Sequence, residues 1–334
     1  MSTMEKRLNY LIVALGATLF CTILYVEYAY KPGTFHRKVA KQRIFIAKFK
    51  NRQFNYSIEE QKPGLCDGID ILILILSAPN KFDQRNAIRD TWLYEHDTPS
   101  SFLVRFLIGQ PDNRSVELRI QKEQRQHKDI VRYNFTETYD LLPVKVHAAF
   151  SFFKTYCPQA KYLLKTDDDT VVDLDRLFHH SKSMYDKYYG LNKERFFCNV
   201  HYKKRPFRNK GSRYYVSKEV YPEPIYPDFC QGCSYMVTRE AVGPVLSAVS
   251  SVNYIKLEDV LYSGIVRSKK NVSLVHSRTF GYSSIKATNK LQCGMNGVPL
   301  PTGLFGIPAK SMQSVYKELK NISCRADGGT TKKG

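Results

Sequence analysis

Three adjacent carboxylates, Asp167, Asp168 and Asp169, close the apolar run in "KYLLKTDDDT" (residues 161–170). Like charges side by side repel, so the segment calls for a group that relieves them. Period-two geometry sends Asp167 and Asp169 to one side of an extended chain and Asp168 to the other. Two carboxylates converging at a strand's carboxyl end form a hard-oxygen site for magnesium or manganese, shared with substrate phosphates. Acidic triplets also occur simply as loop and cap residues. A calcium EF-hand loop starting at Asp167 is set aside, because Val172 and Phe178 stand where it needs Gly and Glu. Glu258 and Asp259 in "KLEDVL" (256–261) open an expected helix, where the macrodipole also favours acids for structural reasons alone. Arg85 and Arg89 in "QRNAIRDTW" lie four apart on one helical face, suited to a diphosphate or to pairing with neighbouring acids.

The elements that must hold these groups read as alternating strands and helices. "IDILILILS" (69–77) is a continuous apolar run, expected as a strand covered on both faces and hence in a parallel sheet. "KFDQRNAIRDTWL" follows as a helix, "SFLVRFLIG" (101–109) as a strand, "VELRIQKEQRQH" as a helix and "DIVRYN" as a strand. A helix is expected from about Val144 to Tyr156, with Pro143 in its first turn. "KYLLK" (161–165) is the next strand and delivers the aspartates. This alternation implies a doubly wound α/β sheet, in which ligands gather beyond the carboxyl ends of the strands.

Length and charge narrow the class. The 334 residues, 43% hydrophobic and 25% charged, suffice for one large domain with appendages. The net charge of +20 does not form a stripe interleaved with aromatics: residues 31–62 hold nine Lys/Arg against Glu59 and Glu60, and the rest is dispersed. No nucleic-acid partner is therefore expected. "LNYLIVALGATLFCTILYV" (8–26) is apolar enough to cross about 30 Å of hydrocarbon and reads as an uncleaved signal-anchor, a cleaved signal peptide being the alternative. Basic residues after the span would, by the positive-inside rule alone, put the bulk of the chain in the cytoplasm. Five sequons, at Asn55, Asn113, Asn134, Asn271 and Asn321, argue instead for a secretory lumen and glycosylation. Apart from Cys21 in the span, seven cysteines remain, compatible with three disulfides and one free thiol. "FCQGC" lacks a second pair at matching spacing, so structural cysteines are expected there rather than zinc.

"QRNAIRDTW", "LLKTDDDTVVD", "YYVSKEVYPEPIYPDFCQGCSYMVT" and "LEDV" occur in the order and at about the intervals found in the β-1,3-galactosyltransferase family, glycosyltransferase family 31, which is related to the Fringe enzymes. The resemblance covers roughly residues 66–320. It implies a GT-A fold, a Rossmann-like mostly parallel sheet flanked by helices, on a single-pass type II Golgi membrane protein with its catalytic domain in the lumen. The implied organisation is a cytoplasmic tail (1–7), a signal-anchor (8–30), a basic stem (31–65), the catalytic domain (66–325) and a flexible tail (326–334). The implied activity is inverting transfer of galactose from UDP-galactose to the 3-hydroxyl of a glycan acceptor. Relatives that transfer N-acetylglucosamine or N-acetylgalactosamine, or an inactive glycan-binding homologue, are the alternatives.

Carried over by position, the DxD motif falls on Asp167–Asp169. Asp169 becomes the principal ligand of Mn2+ or Mg2+, with Asp167 beside it. Asp167 and Asp168 also contact the UDP-sugar or the ion's water shell. The EDV motif makes Asp259 the general base, with Glu258 on the donor side, and Arg85 and Arg89 match an arginine-bearing helix near the nucleotide. Tyr221 to Tyr235 match a sugar- and acceptor-facing loop. The chain departs from the family pattern in three places. Gln84 replaces a second arginine, and Ser234 replaces a glycine, so that backbone approach to the sugar is expected to differ. No histidine lies near "LFGIPAKSM", leaving His276 as the last one in the chain. The run "KKRPFRNKGSR" (203–213) carries six basic residues in this acceptor-side region, a mark of an anionic acceptor or of a solvated loop.

Overall fold

The computed structural model describes residues 42–93, 101–189, 193–284, 293–294, 297–324 and 330–332. The expected signal-anchor at 8–30 lies outside them. Among the described residues no helix is long and apolar enough to cross a membrane.

A nine-stranded sheet runs in the order β1-β2-β5-β4-β3-β6-β9-β8-β10. Its centre is parallel, as the apolar strand pattern predicts: β3 (Ile71–Leu76) pairs with β4 (Phe102–Gln110) on one side and β6 (Tyr162–Asp167) on the other, and β4 pairs with β5 (Ile130–Thr136). Toward the edges the sheet turns antiparallel, through β9 (Phe229–Thr238) against β6 and β8 (Arg195–His201), and through the hairpin β1 (Gln42–Lys48) and β2 (Gln53–Glu59). β10 (Ser273–His276) closes one edge parallel to β8. This is the mixed, centrally parallel α/β sheet that a GT-A fold requires.

Alternate residues of β3 feed the two faces, which is why its six residues are all buried. Leu72, Leu74 and Leu76 pack with the helices α3 (Leu142–Tyr156) and α5 (Arg239–Ala248). Ile71, Ile73 and Ile75 pack with α1 (Phe82–Arg89), α2 (Arg114–His127), α4 (Leu174–His180) and α7 (Ala309–Lys320). Pro143 sits in the first turn of α3, where its missing N–H costs nothing.

Two expected boundaries move. The segment read as stem contains β1 and β2, whose Ala47, Tyr56 and Ile58 are buried in the core, so the folded domain includes Gln42–Glu59 ahead of Cys66. Within the segment read as a flexible tail, Thr330–Lys332 forms a strand paired with Ile322–Cys324. The disulfides are Cys66–Cys157, Cys198–Cys230 and Cys293–Cys324, and Cys233 is free, matching the expected three bonds and one thiol.

Candidate active site

Strand β6 runs in register with β3, so that Leu76 faces Asp167 across the ladder. The residues that follow both strands meet at the carboxyl edge. There the three aspartates separate onto different partners. Asp167 accepts a hydrogen bond at 2.7 Å from Lys165 Nζ. Asp168 accepts one at 2.7 Å from the hydroxyl of Ser77, the residue after β3. The carboxylate of Asp169 is hydrogen-bonded by the backbone of Gly306, and its carbonyl accepts the N–H of Ile307 at 2.8 Å. The antiparallel pairing of Gly303 and Leu304 with Val172 and Val171 brings that turn against Asp169. The "LFGIPAKSM" segment thus reaches the acidic site through its backbone, without a histidine. Gln84 donates to the Ile307 carbonyl at 2.8 Å and braces the same turn.

The second acidic pair comes from the other side. Glu258 and Asp259 open a helix continued by α6 (Val260–Val266), which is wound in wide π turns. Asp259 caps that helix, its Oδ1 accepting from the Val260 N–H at 2.8 Å. The Ser263 hydroxyl donates to the Asp259 carbonyl and accepts from the Cys230 N–H at 2.8 Å, which fastens the helix to β9. Gly232 of β9 lies against the pair: a Cβ there would stand 3.2 Å from Asp259 Oδ2 and 3.3 Å from Glu258 Oε1. A side chain at this position would require both carboxylates to shift by a few tenths of an ångström.

Lys165 joins the two acidic groups. It is completely buried, and its ammonium donates to Asp167, to Glu258 Oε1 at 2.9 Å and to the Gly232 carbonyl. Burial opposes its charge, yet Asp167 and Glu258 hold its pKa above the ordinary lysine range. Burial pushes Glu258 up to about 7 against the pull of Lys165, and the Tyr235 hydroxyl donates to its other oxygen at 3.0 Å. Burial also raises Asp259, making it a stronger base than a solvated carboxylate. Asp167, Gly232, Cys233, Glu258 and Asp259 all line one cavity of about 760 Å³.

The donor set fits a divalent cation. Asp168 and Asp169 are raised, first by desolvation and then by Asp167 and, for Asp169, also by Asp168, so a nearby cation would relieve both effects. Their oxygens are the hard ligands that magnesium and manganese prefer. Among the described residues no cluster of three or more ligating side chains stands preassembled. Water and a diphosphate would have to supply the remaining positions.

The arginines are where sequence reading and structure part. All five guanidinium N–H groups of Arg85 are taken, by both oxygens of Glu123, the Ser77 hydroxyl and the carbonyls of Ala78 and Pro79. Arg89 pairs with both oxygens of Asp129, with Glu123 and with Asn86. The guanidinium groups expected to meet the nucleotide are instead engaged by the buried Glu123 and the partly exposed Asp129. Arg85 acts on the site at one remove, through Ser77 and so Asp168. Ser77 and Lys165 were missed as site residues. The lysine set between the apolar "YLL" and the aspartates is the available signal for the second; Ser77 has none.

Ser234 is 2% exposed and does not line the cavity. His276 accepts from the Val200 N–H at 3.2 Å, as an ordinary strand-end residue. The five sequon asparagines are all exposed; Asn113 caps α2 and Asn134 accepts from the Ser57 N–H across the β2–β5 junction.

The model of the galactosyltransferase family matches residues 83–278. Over 224 residues the chain is 27% identical to a lactosylceramide 1,3-N-acetyl-beta-D-glucosaminyltransferase of Homo sapiens, covering 65% of this chain and 58% of that protein. It is 30% identical over 230 residues to beta-1,3-galactosyltransferase 2 of Mus musculus, covering 66% of this chain and 52% of the relative. It is 26% identical over 253 residues to the mouse beta-1,3-galactosyltransferase 1, covering 74% and 76%. The match therefore spans little more than half the length of the first two relatives.

Proposed function

Since the chain belongs to the galactosyltransferase family, we propose that it is an inverting β-1,3-hexosyltransferase that moves galactose from UDP-galactose to the 3-hydroxyl of a glycan acceptor. The observation that supports this reading is one cavity lined by Asp167, Gly232 and Asp259 together. In such a transfer the acceptor hydroxyl attacks the anomeric carbon from the face opposite the UDP leaving group. Asp259 takes the proton as the bond forms, and no protein nucleophile is needed. Asp169, with Asp167 beside it, would hold the Mn2+ or Mg2+, which would supply charge compensation for the departing diphosphate. Lys165 ties Asp167, Glu258 and the Gly232 carbonyl together.

The N-acetylglucosaminyltransferase among the relatives favours a second reading, with UDP-N-acetylglucosamine as donor. Three disulfides and five exposed sequons support a luminal catalytic domain in the Golgi, held by the apolar segment at 8–30. The test is UDP release by the full chain with manganese, a panel of UDP-sugars and mixed glycan acceptors. Asp259→Asn should lower kcat by about 10²–10⁴-fold with UDP binding retained. Equal release by both forms would remove Asp259 as the base. UDP binding without turnover on any donor would favour an inactive homologue.

A further inference from the structure

We propose that the outer part of the cavity is a subsite for an anionic substituent on the acceptor saccharide, a sulfate ester or a uronic acid carboxylate, held by Lys204, Arg205 and Arg213. The inference rests on the transferase reading above for the direction in which the acceptor lies.

The fold sorts the six basic residues of "KKRPFRNKGSR". Arg208 is structural: its guanidinium donates to the carbonyls of Val216, Tyr221 and Glu223 at 2.9, 2.7 and 3.0 Å and ties the loop together. Lys203 and Lys210 do not line the cavity, whereas Lys204, Arg205 and Arg213 do. These three are exposed and, among the described residues, have no carboxylate partner. The carboxylates of the cavity are already committed, Asp167 and Glu258 to Lys165, and Asp259 to the helix it caps. Three like charges thus line one concave surface with no ion-pair partner of their own among the described residues, an arrangement that attracts anions.

Flat apolar surface accompanies the charge. Tyr139, Phe207 and Tyr214 line the same rim and are 45%, 56% and 40% exposed. Arg213 lies 5.0 Å from the Tyr139 ring centre and 4.8 Å from that of Tyr214. Aromatic faces set between cations suit a saccharide ring bearing a negative group.

The position of the cluster assigns it to the acceptor. A donor diphosphate belongs with the aspartates at the end of β6; Asp167 lines this cavity, whereas Asp168 and Asp169 do not. The charge of Asp259, by contrast, is felt by Tyr139 and Tyr226, and Arg213 packs on Tyr139. Arg213 therefore stands on the side of the base, where the attacking hydroxyl arrives, and Lys204 and Arg205 line the same cavity.

Matched probes separate the sources of negative charge: galactosyl-galactose against glucuronosyl-galactose, and N-acetyllactosamine against its 6-O-sulfate. Binding is measured by calorimetry on the full-length Asp259→Asn form, and kcat/KM on the parent. The anionic member of at least one pair should bind about tenfold tighter, with the advantage shrinking at high salt. Neutralising Lys204→Gln, Arg205→Gln and Arg213→Gln together should abolish the preference and leave UDP affinity unchanged. The charge-conserving set Lys204→Arg, Arg205→Lys and Arg213→Lys should keep it. Equal binding within both pairs would overturn the proposal. So would a parallel loss of UDP affinity in the neutralised form, which would hand the cations to the donor. A binding preference without any transfer would sink the transferase reading and leave this one standing.

Discussion

Lys165 is the residue at which the two acidic groups become one site. A buried ammonium between two carboxylates is costly to create and more costly to break, because removing it strands buried charge. Lys165→Met should destabilise the protein by about 3–5 kcal/mol in urea unfolding. Adding Glu258→Gln should restore part of that loss, since the stranded carboxylate disappears with its partner. Glu258 also carries a pH signature. Its pKa in the fold is raised to about 7, so the stability it contributes is full below the ordinary glutamate range and is lost as pH rises through about 7. Relative to Glu258→Gln, the parent should therefore be more stable at pH 5 than at pH 8, by up to about 3 kcal/mol. A constant difference across that window would mean that Glu258 is ionised throughout.

At the scale of elements, helix α3 does more than cover the sheet. His147 on α3 is held by the Tyr56 hydroxyl of β2 at 2.7 Å, and the same hydroxyl donates to Ser151 at 3.1 Å. The hairpin is thereby anchored to the central helix. Burial pushes His147 down to about 4, so its neutral form is the one the fold accepts. The stability this contributes is present above the ordinary histidine range and disappears as pH falls through about 4. A loss of stability between pH 6.5 and 4 is expected, and His147→Gln, which cannot take up the proton, should flatten that part of the profile. Much of this level was legible. β3, β4, β5, α1, α2, α3 and the helix opened by Glu258 all lie where apolar periodicity and turn chemistry predict them. The hairpin was not, because "RIFIAKF" is apolar on both faces: Ile44 and Ile46 are exposed while Ala47 is buried. Alternation without polarity does not reveal which side meets a core.

For the whole molecule, the hairpin decides where the folding unit begins. Ala47, Phe49, Tyr56 and Ile58 are each no more than 3% exposed. Large apolar side chains are worth about 1.5–3 kcal/mol apiece when fully buried, against a total stability of about 5–15 kcal/mol. A chain starting at Cys66 should therefore fail to give a cooperative thermal transition, whereas one starting at Gln42 should melt like the full chain. Equal melting of the two would make the hairpin an appendage. Cys66–Cys157 ties the start of the sheet to the end of α3 across a sequence separation of 91, and Cys198–Cys230 joins β8 to β9 just ahead of Gly232. One bond restrains the frame and the other the strand that carries the site.

The amino-acid sequence alone determined the alternation of strands and helices and the positions of the acidic motifs, because both rest on short-range patterns of polarity and spacing. It left open whom each charge would meet. Arg85 and Arg89 look the same whether they face a diphosphate or Glu123 and Asp129, since the counter-charges come from elements some forty positions away. Lys165 looks like a strand-end lysine until β9 and the helix after Leu257 close over it. Chain crossing brings such partners together, and electrostatic energy depends on the distances that crossing sets, so the assembly of one site from distant carboxylates was decided only in three dimensions.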